Sequence, residues 1–93
     1  MFSGLIIVTG GSRGIGAAIC RRLAADGYAV AVNYAADATA AEATVAEIKK
    51  SGGNAQAFQA DVADPAQLPR LFDQATKALG PLAGLVKDRK SVV

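Results

Sequence analysis

Short runs of consecutive apolar residues alternate along this chain with longer segments in which apolar residues recur every three or four positions. The run Leu5–Val8 is continuous and mostly β-branched, and the run 29–32 is equally unbroken. Such runs are typical of strands that are buried on both faces. A weaker run at 55–59, which depends mainly on Phe58, and another at Leu82–Val86 predict a third and a fourth strand.

The intervening segments have helical spacing. We predict a first helix over 14–26 with Gly27 at its end, a second over 38–51, and a third that ends before Gly80. In the third helix Asp64 is the expected N-cap and Pro65 the first helical residue, whereas Pro69 should strain the early turns. The predicted apolar stripes are Ile15, Ala18, Ile19 and Leu23 in the first helix, Ala41, Val45 and Ile48 in the second, and Leu68, Leu71, Phe72, Ala75 and Leu79 in the third.

The order of elements is therefore β-α-β-α-β-α-β, which indicates an α/β protein with a parallel sheet between two layers of helices. Right-handed crossovers restrict its topology sharply. No linker, low-complexity tract or repeat divides the chain, so it is interpreted as one domain or part of one.

Composition narrows the functional classes. The chain has 93 residues, of which 52% are hydrophobic and 19% charged, and this excludes ordinary disorder. Its net charge of +2 is scattered, which argues against nucleic acid as a partner. No apolar stretch is long enough to span a bilayer, and no basic residue precedes the first apolar run as in a signal peptide. We therefore predict a cytoplasmic protein without a membrane partner.

Cysteine and histidine usage argues against two further kinds of site. One cysteine and no histidine exclude a disulfide framework and make a metal site an unfavoured interpretation. Cys20 lies within the first predicted helix beside Ile19, and we interpret it as a small structural residue rather than a reactive thiolate.

The most informative segment is 9–16, with the sequence TGGSRGIG, which leaves the first strand and enters the first helix. Glycines in such a turn allow positive φ angles and let the backbone approach a pyrophosphate. The helix N-terminus adds unpaired N–H groups and a partial positive charge. A tight structural turn is the alternative, but the strand before, the helix after and the βαβ frame all favour nucleotide binding.

The spacing T-G-x-x-x-G-x-G resembles that of the short-chain dehydrogenase/reductase family. Two further matches accompany it: Asp61-Val62, which resembles the family's adenine-contacting pair, and Gly84-Leu85-Val86, which resembles the start of its fourth strand. The resemblance covers residues 3–86 and is nearest to reductases of the 3-oxoacyl-carrier-protein and glucose dehydrogenase type. It implies a three-layer, Rossmann-type α/β fold with the strand order 3-2-1-4, of which residues 1–86 form a partial dinucleotide-binding domain, the N-terminal half only. A simple strand-end cap is the alternative role for Asp61. The residues expected to bind the dinucleotide are Gly10, Ser12, Arg13, Gly14, Ile15, Gly16, Asn33, Tyr34, Asp61 and Val62.

The same residues indicate which dinucleotide is bound. Sites that prefer NAD place an acid at the end of the second strand, on the ribose hydroxyls. The matching positions, Asn33 and Tyr34, hold no acid that would repel the 2′-phosphate of NADP. Arg13 can pair with that phosphate, and the resemblance implies the same role. Two alternatives stay open, namely a solvated Arg13 and Asp37 as the missing acid. We predict NADP, with NAD less favoured.

The resemblance also implies hydride transfer between a nicotinamide and a carbonyl or alcohol carbon, in a parent enzyme that forms homo-oligomers and takes a small substrate. The family's catalytic tyrosine has a lysine four residues later, but Tyr28 is followed at that distance by Val32 and Tyr34 by Ala38. No catalytic residue is therefore assigned within this chain. We predict an N-terminal fragment of an NADP(H)-dependent oxidoreductase that is inactive as it stands, with a stand-alone nucleotide-binding module as the alternative.

The last seven residues depart from the family pattern, which continues the fourth strand into Asn-Asn-Ala-Gly. Residues 87–93, KDRKSVV, are polar and basic where a buried strand end is expected. We interpret them as a non-native tail that resembles a sequencing-library adapter translated in frame. A frameshift or a natural truncation is the alternative, and the nucleotide sequence distinguishes them.

Overall fold

The computed structural model describes residues 4–10 and 14–87 of the chain. Its seven elements follow the predicted alternation of strands and helices. In chain order they are β1 (Leu5–Val8), α1 (Gly14–Ala25), β2 (Ala29–Tyr34), α2 (Ala38–Lys50), β3 (Asn54–Gln59), α3 (Gln67–Leu79) and β4 (Leu82–Val86).

The four strands form one parallel sheet in the order β3-β2-β1-β4, as predicted. Ile7 in β1 pairs with Ala31 in β2 on one side and with Leu85 in β4 on the other. Ala31 in turn pairs with Gln56 in β3. Because all four strands run in one direction, their carboxyl ends lie at the same edge of the sheet. The loops that follow β1, β2 and β3 therefore meet there.

Helices cover the two faces of the sheet, which confirms the three-layer architecture. Successive strand residues point to opposite faces, so a strand covered on both sides must be apolar throughout. On one face Ile6, Val8, Val30 and Val32 pack against α1 and α2. On the other face Leu5, Ile7, Ala31 and Phe58 pack against Leu71 and Ala75 of α3.

The start of α3 differs from the prediction. The helix begins at Gln67, with Ala66 at the N-cap position, so the expected capping by Asp64 and the placing of Pro65 at the first helical residue are both wrong. The Asp64 carboxylate instead accepts the backbone N–H of Ala66 at 3.0 Å and the Gln67 amide at 3.1 Å, and these bonds lower its pKa. They stabilise a turn before the helix.

We expected Pro69 to strain the early turns of α3, but its position near the helix start removes one source of strain. It is the third residue of α3, and the first four N–H groups of a helix have no partner within the helix. The missing N–H of proline therefore costs no helical hydrogen bond. The apolar stripe itself is as predicted, since Leu68, Leu71, Phe72, Ala75 and Leu79 all contribute to the core on this face.

The buried face of α1 is also rotated from the prediction. Ile15 is 81% exposed and Ala18 is exposed, so their assignment to the stripe is wrong. Small residues take their place, because they allow the helix to lie close to the sheet. The apolar residues of α1 that are buried or partly buried are Ala17, Ile19, Cys20, Leu23 and Ala24. The stripe of α2, by contrast, is buried as predicted.

Element ends differ from the predictions by one or two residues. α1 ends at Ala25, and β2 continues through Tyr34, which still pairs with Gln59 of β3. α2 ends at Lys50, where the N–H of Ser51 caps it by donating to helix carbonyls, and β3 begins at Asn54. Of the predicted tail only Lys87 is described; residues 88–93 lie outside the described part.

No helix within the described part of the chain combines the length and apolar character that crossing a membrane requires.

Candidate dinucleotide-binding site

The glycine-rich turn leaves the carboxyl end of β1 at the centre of the sheet. Thr9 is 1% exposed, and its backbone N–H donates to the Val86 carbonyl at 2.9 Å, which ties the turn to β4. Gly10 has φ +67° and Gly14 has φ +64°, a region that other residues rarely adopt. The backbone therefore requires glycine at both predicted positions. Ser12 and Arg13 lie outside the described residues, and their contacts stay predictions.

α1 begins immediately after this turn, and its first turn contains no acidic side chain. Among the described residues, a Cβ built on Gly14 would meet no atom within 4 Å, so a side chain there would have space. Gly16 is partly buried, and the exposed Ile15 side chain adds an apolar surface beside it. The first N–H groups of a helix have no partner within the helix, and together with the positive helix end they suit a phosphate group.

Asn33 and Tyr34, at the end of β2, point to opposite faces of the sheet. Tyr34 is partly buried against the cluster formed with α1 and α2. Asn33 is 2% exposed on the α3 side, where its Oδ1 accepts the N–H of Gly10 at 3.4 Å. Its Nδ2 donates to the carbonyls of Phe58 at 3.4 Å and Ala60 at 3.1 Å. The predicted dinucleotide contacts of both residues stay predictions, and for Asn33 the side chain is engaged inside the protein.

Asp61 and Val62 follow the end of β3. The Asp61 carboxylate is exposed and accepts the backbone N–H of Ala63 at 3.0 Å, which forms a local turn. Its own N–H donates to the Gln67 side chain at 2.8 Å. Val62 is partly buried against the α3 side of the core. The pair lies at the same edge of the sheet as the glycine turn, and its adenine contact stays a prediction.

Asp37, the alternative source of an acid near the ribose, is the N-cap of α2. Its carboxylate accepts the backbone N–H of Ala40 at 3.0 Å. Capping by aspartate stabilises a helix start by about 1 kcal/mol, so moving this side chain toward a ligand would cost that interaction. The carboxylate is thus engaged at the start of α2.

Cys20 is fully buried in α1, and burial raises the pKa of its thiol to about 12, although the nearby Arg21 opposes this in part. The thiol is therefore neutral at ordinary pH and does not act as a nucleophile, in agreement with the structural role predicted for it. Among residues 4–10 and 14–87, no group of three cysteine, aspartate or glutamate side chains is arranged to hold a metal ion.

A cleft of about 350 Å³ lies elsewhere, between the C-terminal halves of α1 and α2. Arg21 and Glu47 on its rim form an exposed ion pair at 3.4 Å, a kind of contact that contributes little to stability. Both helices run back from the carboxyl edge of the sheet, so the cleft lies at the opposite end. It is separate from the glycine turn.

Three residues organise the site without having been predicted to do so. Thr9 holds the turn to β4, Asn33 joins the turn to β3, and Gln67 joins the end of β3 to α3. A polar residue that continues an apolar strand, as Asn33 does, is the sequence signal for such a role. Gln67 contacts Asp61, six positions before it in the chain. The turn between them brings the two residues together, and no local sequence pattern indicated its shape.

Comparison with known proteins identifies relatives over most of the chain. It is 53% identical over 76 residues to elsinochrome reductase 1 of Elsinoe fawcettii, which covers 82% of this chain and 28% of the relative. It is 45% identical over 82 residues to the 3-oxoacyl-[acyl-carrier-protein] reductase of Staphylococcus aureus, covering 88% and 33% respectively. The chain thus spans a third or less of the length of these relatives.

The fold is also shared with solved structures. A short chain dehydrogenase from Burkholderia cenocepacia J2315, solved in complex with NADP, superimposes with a TM-score of 0.81 at 51% identity. The match covers 86% of this chain and 33% of that protein. The family model for short chain dehydrogenases matches residues 4–88. The parallel sheet, the glycine turn at its carboxyl edge and these matches together show that this chain belongs to the short-chain dehydrogenase/reductase family.

Proposed function

We propose that this chain is the dinucleotide-binding part of an NADP(H)-dependent oxidoreductase. The observation that carries the proposal is the acid-free start of α1 at Gly14, which has a positive φ like Gly10 after β1. This arrangement accepts a pyrophosphate at the centre of a parallel sheet, where α/β folds bind their ligands. The bound nicotinamide supplies or accepts the hydride in such enzymes.

In this proposal the two halves of the cofactor have separate contacts. The backbone at Gly10 and Gly14 and the first N–H groups of α1 hold the pyrophosphate, and the exposed Ile15 side chain supplies an apolar surface for the cofactor beside them. Asp61 and Val62 lie beside the adenine, because β3 brings them to the edge of the sheet on that side. The Gly14 position fits this role, since the space a side chain would take is free.

NADP is favoured over NAD for two reasons that this chain provides. Neither Asn33 nor Tyr34 is acidic at the end of β2, and the Asp37 carboxylate is engaged at the start of α2. Arg13 supplies a guanidinium in the loop that can bind the 2′-phosphate in a bidentate manner. The NADP-bound relative from Burkholderia supports the same choice.

The proposed reaction is hydride transfer between the nicotinamide and a carbonyl or alcohol carbon, in a parent enzyme similar to 3-oxoacyl-carrier-protein reductases. The reductase from Staphylococcus supports that substrate class. The family's serine and its tyrosine–lysine pair are not matched by residues 1–93, so we expect no turnover of a ketone with NADPH by this chain alone. Turnover that survives removal of contaminating reductases would contradict this expectation.

The second candidate is a stand-alone nucleotide-binding module, which the nearly complete burial of β1 and β2 favours. Titration with NADPH followed by limited proteolysis distinguishes the two. A module that folds by itself binds the cofactor and becomes protected. A fragment that depends on the remainder of a parent enzyme stays sensitive to protease at every cofactor concentration.

Substitution of Gly14 tests the phosphate site. Gly14→Val should abolish NADPH binding, because a β-branched residue strains the positive φ and fills the space in front of α1. Gly52→Val is the matched control, since Gly52 also has a positive φ and open space but follows α2 at the other end of the sheet. Circular dichroism first shows that both variants are folded, and both are then titrated with NADPH. Unchanged affinity in Gly14→Val would place the phosphates elsewhere.

Substitution of Arg13 tests the choice of cofactor, in a chain extended to the length of its relatives. Arg13→Ala should weaken NADP binding by about 1.5–3 kcal/mol more than NAD binding, because a charge-assisted contact to the 2′-phosphate is lost. Arg22→Ala is the control, since Arg22 pairs with Asp26 far from the turn. Equal losses for both cofactors would assign Arg13 to the shared pyrophosphate instead.

A further inference from the structure

Asn33 is a buried polar residue at the junction of the glycine turn and the outer strand β3. The residues before it on the same face of β2, Ala29 and Ala31, are fully buried, and Asn33 itself is 2% exposed. A buried amide without partners would be costly, so its hydrogen bonds are the reason that it is tolerated here.

Those hydrogen bonds use the donors and the acceptor of the amide in one orientation. Oδ1 accepts the N–H of Gly10 at 3.4 Å, and Nδ2 donates to the carbonyls of Phe58 at 3.4 Å and Ala60 at 3.1 Å. A rotated amide would direct its oxygen at two carbonyl oxygens and its nitrogen at an N–H. The contacts therefore determine the orientation, and one side chain connects the turn after β1 with the end of β3.

We propose that Asn33 is a positioning residue that sets the glycine turn relative to the end of β3. It thereby sets the separation between the pyrophosphate contacts at Gly10 and the adenine contacts at Asp61. The inference rests on the proposed function, and it removes Asn33 from the residues that touch the ribose. Selection between NADP and NAD is then left to the loop and to Tyr34, which lies on the opposite face of β2.

Asn33→Asp separates a positioning role from direct ribose contact, because the two roles predict opposite results. A ribose-contacting position that gains an acid strengthens NAD binding and weakens NADP binding. A positioning residue that becomes aspartate directs carboxylate oxygen at the carbonyls of Phe58 and Ala60, 3.4 and 3.1 Å away in the native structure. The end of β3 then moves away from the turn, and both cofactors bind less tightly.

The binding experiment uses the complete 93-residue chain, titrated with NADPH and with NADH by fluorescence. We expect Asn33→Asp to weaken both by roughly tenfold or more, with the ratio of the two affinities unchanged. Gln56→Glu is the matched control, because it makes the same amide-to-acid change at an exposed position of β3 and should leave both affinities as they are. Tighter NADH binding in Asn33→Asp would overturn the inference.

Amide hydrogen exchange in the cofactor-free native chain tests the same contact without relying on a variant that folds. We expect slow exchange at the Gly10 N–H and at the Asn33 side-chain amide, as for the neighbouring strand amides. Exchange at the rate of an exposed amide would overturn the positioning role. Asn33→Leu should then speed exchange at Gly10 selectively, while the amide of Ile7 in β1 stays protected.

The two tests separate failure of the inference from failure of the proposed function. A chain extended to the length of its relatives that has a protected Gly10 amide and binds neither dinucleotide overturns the proposed function, and the cofactor-positioning role with it. A native chain that binds NADPH but has an unprotected Gly10 amide overturns only the role of Asn33.

Discussion

β1 and β4 are neighbouring strands of one sheet, yet their surroundings differ. Both are short apolar runs, and Ile7 of β1 is paired directly with Leu85 of β4. Ile7 is fully buried, whereas Leu85 is 36% exposed and Leu82 is 42% exposed. β1 has a strand on each side, while in the described sheet β4 has β1 as its one strand neighbour.

The arrangement of the helices also contributes to the difference in burial between β1 and β4. α1 packs on β1 and β2, α2 packs on β2 and β3, and α3 packs on β1, β2 and β3. In the described part of the chain, the outer edge of β4 therefore has no strand neighbour, and its large apolar side chains Leu82 and Leu85 contact solvent. Apolar character therefore makes a residue suited to burial, whereas the neighbouring elements decide whether burial occurs. An exposed edge of this kind is a site at which further chain can pair.

The largest expected effect comes from truncating the two paired residues separately. Ile7→Ala should lower the free energy of unfolding by about 2–5 kcal/mol, because it leaves a cavity between β1 and α3. Leu85→Ala should cost about 1 kcal/mol or less, since its side chain is already partly in solvent. Urea unfolding of both variants measures the difference. Similar losses would mean that β4 is covered in solution.

A charge on β4 tests whether its exposed edge promotes association. We expect the native chain to self-associate as its concentration rises, and Leu85→Lys to reduce this association, because a charged residue on an edge strand disfavours pairing with another strand. Ala78→Lys, at an exposed position of α3, adds the same charge away from the edge. Sedimentation velocity over a range of concentrations measures the association. Equal behaviour of the two variants would exclude a role for β4.

The smallest expected effect is on the pH dependence of the free energy of unfolding, and it concerns the buried thiol of Cys20 in α1. Burial raises the pKa of this thiol to about 12 in the folded chain, so the thiolate forms first in the unfolded chain as the pH rises. Above about pH 9 the free energy of unfolding should therefore fall, by at most about 1.4 kcal/mol per pH unit from this group. Cys20→Ala should show a shallower decline. Identical slopes in urea unfolding at alkaline pH would show that the thiol is accessible.

The predictions that depended on burial across a whole element were the most accurate. The continuous runs of β1 and β2 and the stripe of α2 are buried as expected, because several residues in each pattern all indicate the same face. The predicted start of α3 was wrong because that prediction depended on a single capping residue. Asp64 has the right chemistry for an N-cap, but a side-chain bond to Gln67 supports a turn instead.

In the candidate site too, local features were predictable from the sequence, whereas contacts between distant residues were not. The positive φ angles expected in the glycine turn are found at Gly10 and Gly14, because they are a local property of the backbone. The place of Asn33 was not predictable in this way. Its partners are 23 to 27 residues away in the chain, and only the pairing of β2 between β1 and β3 brings them within hydrogen-bonding distance.

The amino-acid sequence by itself determined the alternation of strands and helices, the parallel sheet and the position of the glycine turn, since each depends on spacing within a short segment. Only the tertiary structure decided the exceptions, namely the side chains whose burial does not match their own polarity. Ile15 has the hydrophobicity of a core residue but lies at the exposed start of α1, and Asn33 has the polarity of a surface residue but is buried. Burial depends on the neighbours that the fold supplies, and distant parts of the chain provide those neighbours.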